Sequence, residues 1–179
     1  LAPHRHRLEF GRRVAAEQRH RELLTLHARN LRRHIENVKK FGITPTIAIN
    51  HFYLDTDAEL AVIVEMAKEY GAEAVICKHW ADGGAGAEEL AHIVATKADK
   101  GAADFDFLYP GEMKLADKIT TVATEIYRAG SVSIPSAVRN QLKQWEDMGY
   151  GHFPVCMAKT QYSFTTDPTR LGAPDNHEV

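Results

Sequence analysis

Only two of the 179 residues are cysteine, Cys77 and Cys156, too few for a disulfide framework. Reduced thiols point to a cytoplasmic setting. No apolar run approaches the ~20 residues that span a bilayer. The opening Leu1-Ala-Pro-His-Arg-His-Arg is basic, with no apolar stretch behind it, so it does not read as a secretory signal. Neither G-x-x-x-x-G-K-[ST] nor G-x-G-x-x-G is present, and nucleotide phosphates have no familiar cradle. There is no G-x-S-x-G, and no pair of Cys or His at zinc-ligand spacing. No metal site and no catalytic nucleophile is therefore assigned. His51 and His152 stand alone, and both cysteines read as apolar strand residues.

Lysine is missing from the first 38 positions. Residues 1–29 hold seven Arg and three Glu, a net +4, against −6 for the other 150. A sign change this sharp marks a boundary. The formal total of −2 argues against a nucleic-acid partner, and Phe10 is the only aromatic in the basic stretch.

What is present is 44% apolar, enough for one domain with a core. Residues 13–40 contain good helix formers, with Leu24, Leu31, Ile35 and Val38 at helical intervals and Gly42 as a stop. Ile43 to Asn50 reads as a buried strand that Pro45 confines to its entrance. Thr56-Asp-Ala-Glu59 is a capping box opening a helix with Leu60, Ile63, Val64 and Ala67 inward, ended by Gly71. Ala74 to Cys77 is a second strand, Trp80 to Gly86 a Gly-rich turn, and Glu88 to Lys97 a helix with Leu90, Ile93 and Val94 inward. Further on, 114–128 and 136–148 predict amphipathic helices. The second is capped by Ser133 or Ser136, and 154–157 is a candidate third strand. Beyond it no closing element is evident. Strand and helix alternate, so the fold class is α/β: a partial parallel sheet with flanking helices, followed by a helical C-terminal part. Three stretches follow: the basic segment 1–29, a βαβ part over 30–104, and a helical part with a C-terminal strand or loop over 105–179.

In parallel sheets, ligands bind beyond the carboxyl ends of the strands. Asn50-His-Phe-Tyr-Leu-Asp-Thr56 follows the first strand, and Lys78-His-Trp-Ala-Asp-Gly-Gly-Ala-Gly86 the second. If those strands are neighbours, Phe52 and Trp80 share an edge and suit a flat heteroaromatic ring between them. The plainer reading makes them core residues covering strand ends. The Gly-rich turn either offers N–H groups to an anion or brings Trp80 over a ligand. Lys159 either contacts an anion or is a solvated loop lysine.

Asn30-Leu-Arg-Arg-His-Ile-Glu-Asn-Val-Lys-Lys-Phe-Gly42, Ala48-Ile-Asn-His-Phe52 with Asp55-Thr56, His79-Trp-Ala-Asp-Gly-Gly84, Ala123-Thr-Glu-Ile-Tyr127, and Pro154 to Ser163 with Leu171-Gly-Ala-Pro174 resemble the formate–tetrahydrofolate ligase family, in order over 30–179. The resemblance implies a core related to P-loop nucleotide-binding proteins. It also implies ATP- and Mg²⁺-dependent formylation of tetrahydrofolate to 10-formyltetrahydrofolate, through formyl phosphate, in a cytoplasmic homo-oligomer. Phe52 and Trp80 take the positions that stack the pterin. Asn50, Asp55 and Lys159 are carried as ligand-positioning candidates. Tyr53 stands where the family has Pro. The family's phosphate loop has no counterpart in this sequence, and residues 1–29 show no likeness, as an out-of-frame stretch would. The expectation is therefore a fragment of the ligase. The alternatives are a non-catalytic folate or nucleotide-binding remnant, or an unstable truncated product.

Overall fold

The structure, a computed structural model, describes residues 28–101, 103–158, 164–165, 167–170 and 172–179. The first helix, α1, is described over 28–39; the earlier part of the helix expected from residue 13 lies outside the described residues. Gly42, at φ +70°, turns the chain out of α1. A Cβ there would sit 1.7 Å from the Asp104 carbonyl oxygen, so the turn admits only glycine.

Strand β1 (Thr46–Asn50) follows, then α2 (Asp57–Glu69) and β2 (Glu73–Cys77). The Thr56–Glu59 capping box forms as the sequence predicts, and its two reciprocal bonds fix where α2 begins. β1 and β2 are parallel neighbours in unbroken register from Thr46↔Glu73 to Asn50↔Cys77. Side chains alternate across a strand, so the sheet has two faces. Ile47 and Ala74 pack on the core of Ile35, Ala67 and Ala72, which places α1 and α2 on one face. On the other, Lys97 of α4 (Glu88–Asp99) bonds the Thr46 hydroxyl at 2.5 Å and pairs with Glu73 at 3.2 Å. Helices thus flank both faces. Val94, expected inward, is exposed, because the half-buried face of α4 runs through Leu90, Ile93 and Lys97, and none of its side chains is fully buried.

Between β2 and α4, the Gly-rich stretch folds as a helical turn, α3 (His79–Asp82), and a 3₁₀ turn over Gly83–Ala87. In the second half, α5 (Leu115–Glu125), β3 (Ala129–Ser131), α6 (Ser136–Asp147), a 3₁₀ turn over Tyr150–His152 and β4 (His177–Glu178) follow. β3 and β4 pair in parallel across a register shift. A short closing strand therefore exists where the sequence suggested none. Residues 154–157 are not a strand. Their backbone is held by a side chain instead: the Val155 N–H donates to the Tyr109 hydroxyl at 2.9 Å. Cys156 is accordingly exposed, whereas Cys77 is buried in β2. Neither Ser133 nor Ser136 caps α6; its N-cap is Pro135, with no side-chain cap bond.

Candidate functional site

Asn50 is the last residue of β1, opposite Cys77, the last residue of β2. The two chains leave the sheet together, because the His51 N–H donates to the Cys77 carbonyl at 3.0 Å. The following turn closes on itself. The Asp55 N–H donates to the Phe52 carbonyl at 3.0 Å, and the Phe52 N–H donates to Asp55 Oδ2 at 2.8 Å. Asp55 thereby sets the direction in which Phe52 leaves the backbone.

Trp80 is set by a second tie. The Lys78 N–H donates to the Gly86 carbonyl at 2.9 Å, drawing the end of the 3₁₀ turn back onto the start of α3. A Cβ on Gly86 would lie 2.4 Å from the Lys78 carbonyl carbon, so a larger residue would push the loop off the sheet end. Two loops, each fastened by backbone bonds, therefore hold an aromatic ring beyond adjacent strand ends.

The rings of Phe52 and Trp80 stand 6.3 Å apart between centroids, at 45°. They are 50% and 73% exposed, beside Tyr53 and Leu54 at 90% and 73%. Neither ring belongs to the core, so the reading as core covers does not describe them. An exposed apolar rim at the carboxyl ends of parallel strands is where a ligand or partner is expected. Asn50 lies exposed at the same edge. Lys159 lies outside the described residues.

Among the described residues, no group of three His, Cys, Asp or Glu is placed to hold a metal ion. No helix of these residues is long and apolar enough to cross a membrane.

Sequence reasoning passed over Lys118. Its side chain is fully buried, and its ammonium donates to the carbonyls of Gly111, Gly151 and Phe153 at 2.7, 2.8 and 3.0 Å. The Tyr109 ring lies 5.7 Å away. A lysine on an amphipathic helix carries no mark of this, because two of its three acceptors lie 33 and 35 residues away.

The profile of the formate–tetrahydrofolate ligase family matches residues 9–179, which includes most of the basic segment that the sequence reading set apart. The chain is 61% identical over 150 residues to the formate–tetrahydrofolate ligase of Allorhizobium ampelinum, covering 84% of this chain and 27% of the relative. It is 53% identical over 158 residues to that of Sinorhizobium fredii, covering 88% and 28%. With that of Sinorhizobium medicae it shares 57% over 150 residues, covering 84% and 26%. The chain thus spans about a quarter of the length of these curated relatives.

Proposed function

The chain belongs to the formate–tetrahydrofolate ligase family, and from that premise we propose that its sheet edge is the folate-holding face of the ligase, with the pterin ring stacked between Phe52 and Trp80. The supporting observation is the pair of exposed rings, 6.3 Å apart, beyond two adjacent strand ends. A flat ring in van der Waals contact with both neighbours needs a gap of ~7 Å. The present wedge needs less than ~1 Å of widening and a flattening of its angle. Asn50 offers an amide at the same edge for a ring edge or linker. Asp55 acts through Phe52, since its carboxylate is engaged by that residue's backbone.

The reaction proposed for the whole family enzyme is ATP-dependent transfer of formate to N10 of tetrahydrofolate, in the cytoplasm, by a homo-oligomer on a P-loop-related core. A formate oxygen attacks the γ-phosphorus of ATP and ADP leaves, which gives formyl phosphate. N10 then attacks its carbonyl carbon, phosphate leaves, and N10 gives up its proton. The residues of this chain enter only the second step, by orienting the folate. The 179 residues hold no phosphate-loop motif, and the described ones present no carboxylate or histidine cluster for a cation. No phosphoryl step is routed through them. A second reading follows from the same observation: on its own the chain binds folate without turnover.

Titrating the chain with tetrahydrofolate while following tryptophan fluorescence tests the proposal. Saturable quenching is expected, absent in Trp80→Ala and retained in Trp145→Phe. Phe52→Ala should weaken binding at least ~10-fold, the scale of one lost stacking contact. Quenching that survives Trp80→Ala would place the folate elsewhere.

A further inference from the structure

We propose that a second, arginine-lined cavity binds a phosphate-type dianion, at a site sharing no residue with the Phe52–Trp80 edge. The cavity, of about 420 Å³, lies between α1, the residue before β3 and the turn before β4. Its charged walls are Arg29, Arg32, Arg33 and Arg128 against Glu36 and Asp175. Four guanidiniums facing two carboxylates leave the cavity two charges positive.

The carboxylates are already engaged. Glu36 Oε1 accepts from Arg32 at 2.8 Å and Glu36 Oε2 from Arg128 at 3.3 Å. Asp175 Oδ1 accepts from Arg33 at 2.9 Å. After these pairings, Arg33 Nη1 and Arg128 Nε are buried with no hydrogen-bond partner among the described residues. A buried charged N–H without an acceptor is unfavourable, and an ion pair built only for stability would not leave two of them around one space.

Arg33 is not free to swing into solvent, while the Arg128 side chain is 39% exposed. Arg33 is 6% exposed, and its guanidinium lies 5.5 Å from the Phe164 ring. Arg128 is held in the left-handed region, at φ +56°, by the bond from the Asn176 N–H to its carbonyl at 2.9 Å. A non-glycine residue kept in that conformation is over-determined by its surroundings. Arg32 is braced against the Tyr70 ring at 4.7 Å. Planar guanidiniums held in fixed directions match the oxygens of a phosphate, and an excess of two positive charges matches a dianion.

The test is calorimetric titration of the 179-residue chain with inorganic phosphate, in a chloride buffer at about pH 7.5, where phosphate is mostly dianionic. Saturable one-to-one binding is expected. Arg128→Gln should weaken it at least ~10-fold, and Trp80→Ala should leave it unchanged. Asp175→Asn should tighten it several-fold, by removing a competing carboxylate. A gain of affinity cannot come from misfolding. In a parallel titration with phenyl phosphate, binding comparable to that of inorganic phosphate assigns the site to phosphomonoesters, and exclusion assigns it to free phosphate. Absence of saturable binding to both, or equal binding by Arg128→Gln and Asp175→Asn, overturns the proposal.

Discussion

Between Thr46 and Cys77, two five-residue strands run in unbroken register against an apolar layer of Ile35, Ala67 and Ala72. Between Ala129 and Glu178, a three-residue and a two-residue strand meet across a register shift, and their surroundings are tied by polar groups. Lys118 gathers three loop carbonyls. Glu146 of α6 accepts the Leu115 N–H at 2.7 Å, capping the start of α5, where a carboxylate also suits the helix dipole. Tyr109 holds Val155. In α6 only Leu142 is buried. Where apolar surface is scarce, the chain is held by directional bonds, each of which satisfies backbone groups that would otherwise be stranded. Such bonds are few, so each carries more of the local stability than one methyl in a packed core.

The largest expected effect comes from breaking the polar half. Lys118→Met should destabilise the chain by ~3–5 kcal/mol, because three loop carbonyls lose a buried charged donor at once. Chemical denaturation would show it. A loss below ~1 kcal/mol would mean that water replaces the ammonium and that the second half is not organised around it. In the apolar half, Ile35→Ala should cost ~2–4 kcal/mol through lost burial and the cavity left behind. Hydrogen exchange sharpens the contrast: Ile35→Ala should speed exchange in β1 and β2, and Lys118→Met in α5 and the 150–153 turn. Identical exchange changes across the chain in both variants would show one cooperative unit.

Thr56→Ala removes half of a capping box and should cost ~1 kcal/mol, read as fraying of the first turn of α2. The smallest effect is at one of the ties between the halves. Hydrogen bonding from the Lys40 ammonium, at 2.6 Å, holds the Glu125 carboxyl below its ordinary value of 4.5. A lowered carboxyl pKa stabilises the fold above the unfolded value and loses that contribution as pH falls through the folded one. The pair is largely exposed, so acidification below about pH 4.5, or Glu125→Gln at neutral pH, should remove at most ~0.5 kcal/mol. A larger drop in melting temperature for Glu125→Gln would mean that the tie does more than an exposed ion pair.

Much of the first half was legible in sequence. Apolar periodicity, the Thr56–Glu59 box and the glycines at 42 and 71 place the end of α1, and β1, α2 and β2, within a few residues, because each signal acts on its own neighbours. The position of Phe52 and Trp80 after successive strands followed from the same alternation. Residues 154–157 show where local signals stop. Pro-Val-Cys-Met has strand composition, yet its backbone is claimed by a tyrosine 46 residues away. Composition cannot tell which partner reaches a backbone N–H first.

By itself the sequence determined the family, through blocks shared with its relatives. It also determined the α/β alternation, because helix and strand periods are local properties of the chain. Only the tertiary structure decided that the two aromatics stand exposed and 6.3 Å apart, that a helix lysine is a buried clamp, and that Arg128 reaches Glu36 across 92 residues. These outcomes depend on which surfaces exclude water and which polar groups must then find each other. That condition is set by packing in three dimensions and leaves no periodic trace along the chain.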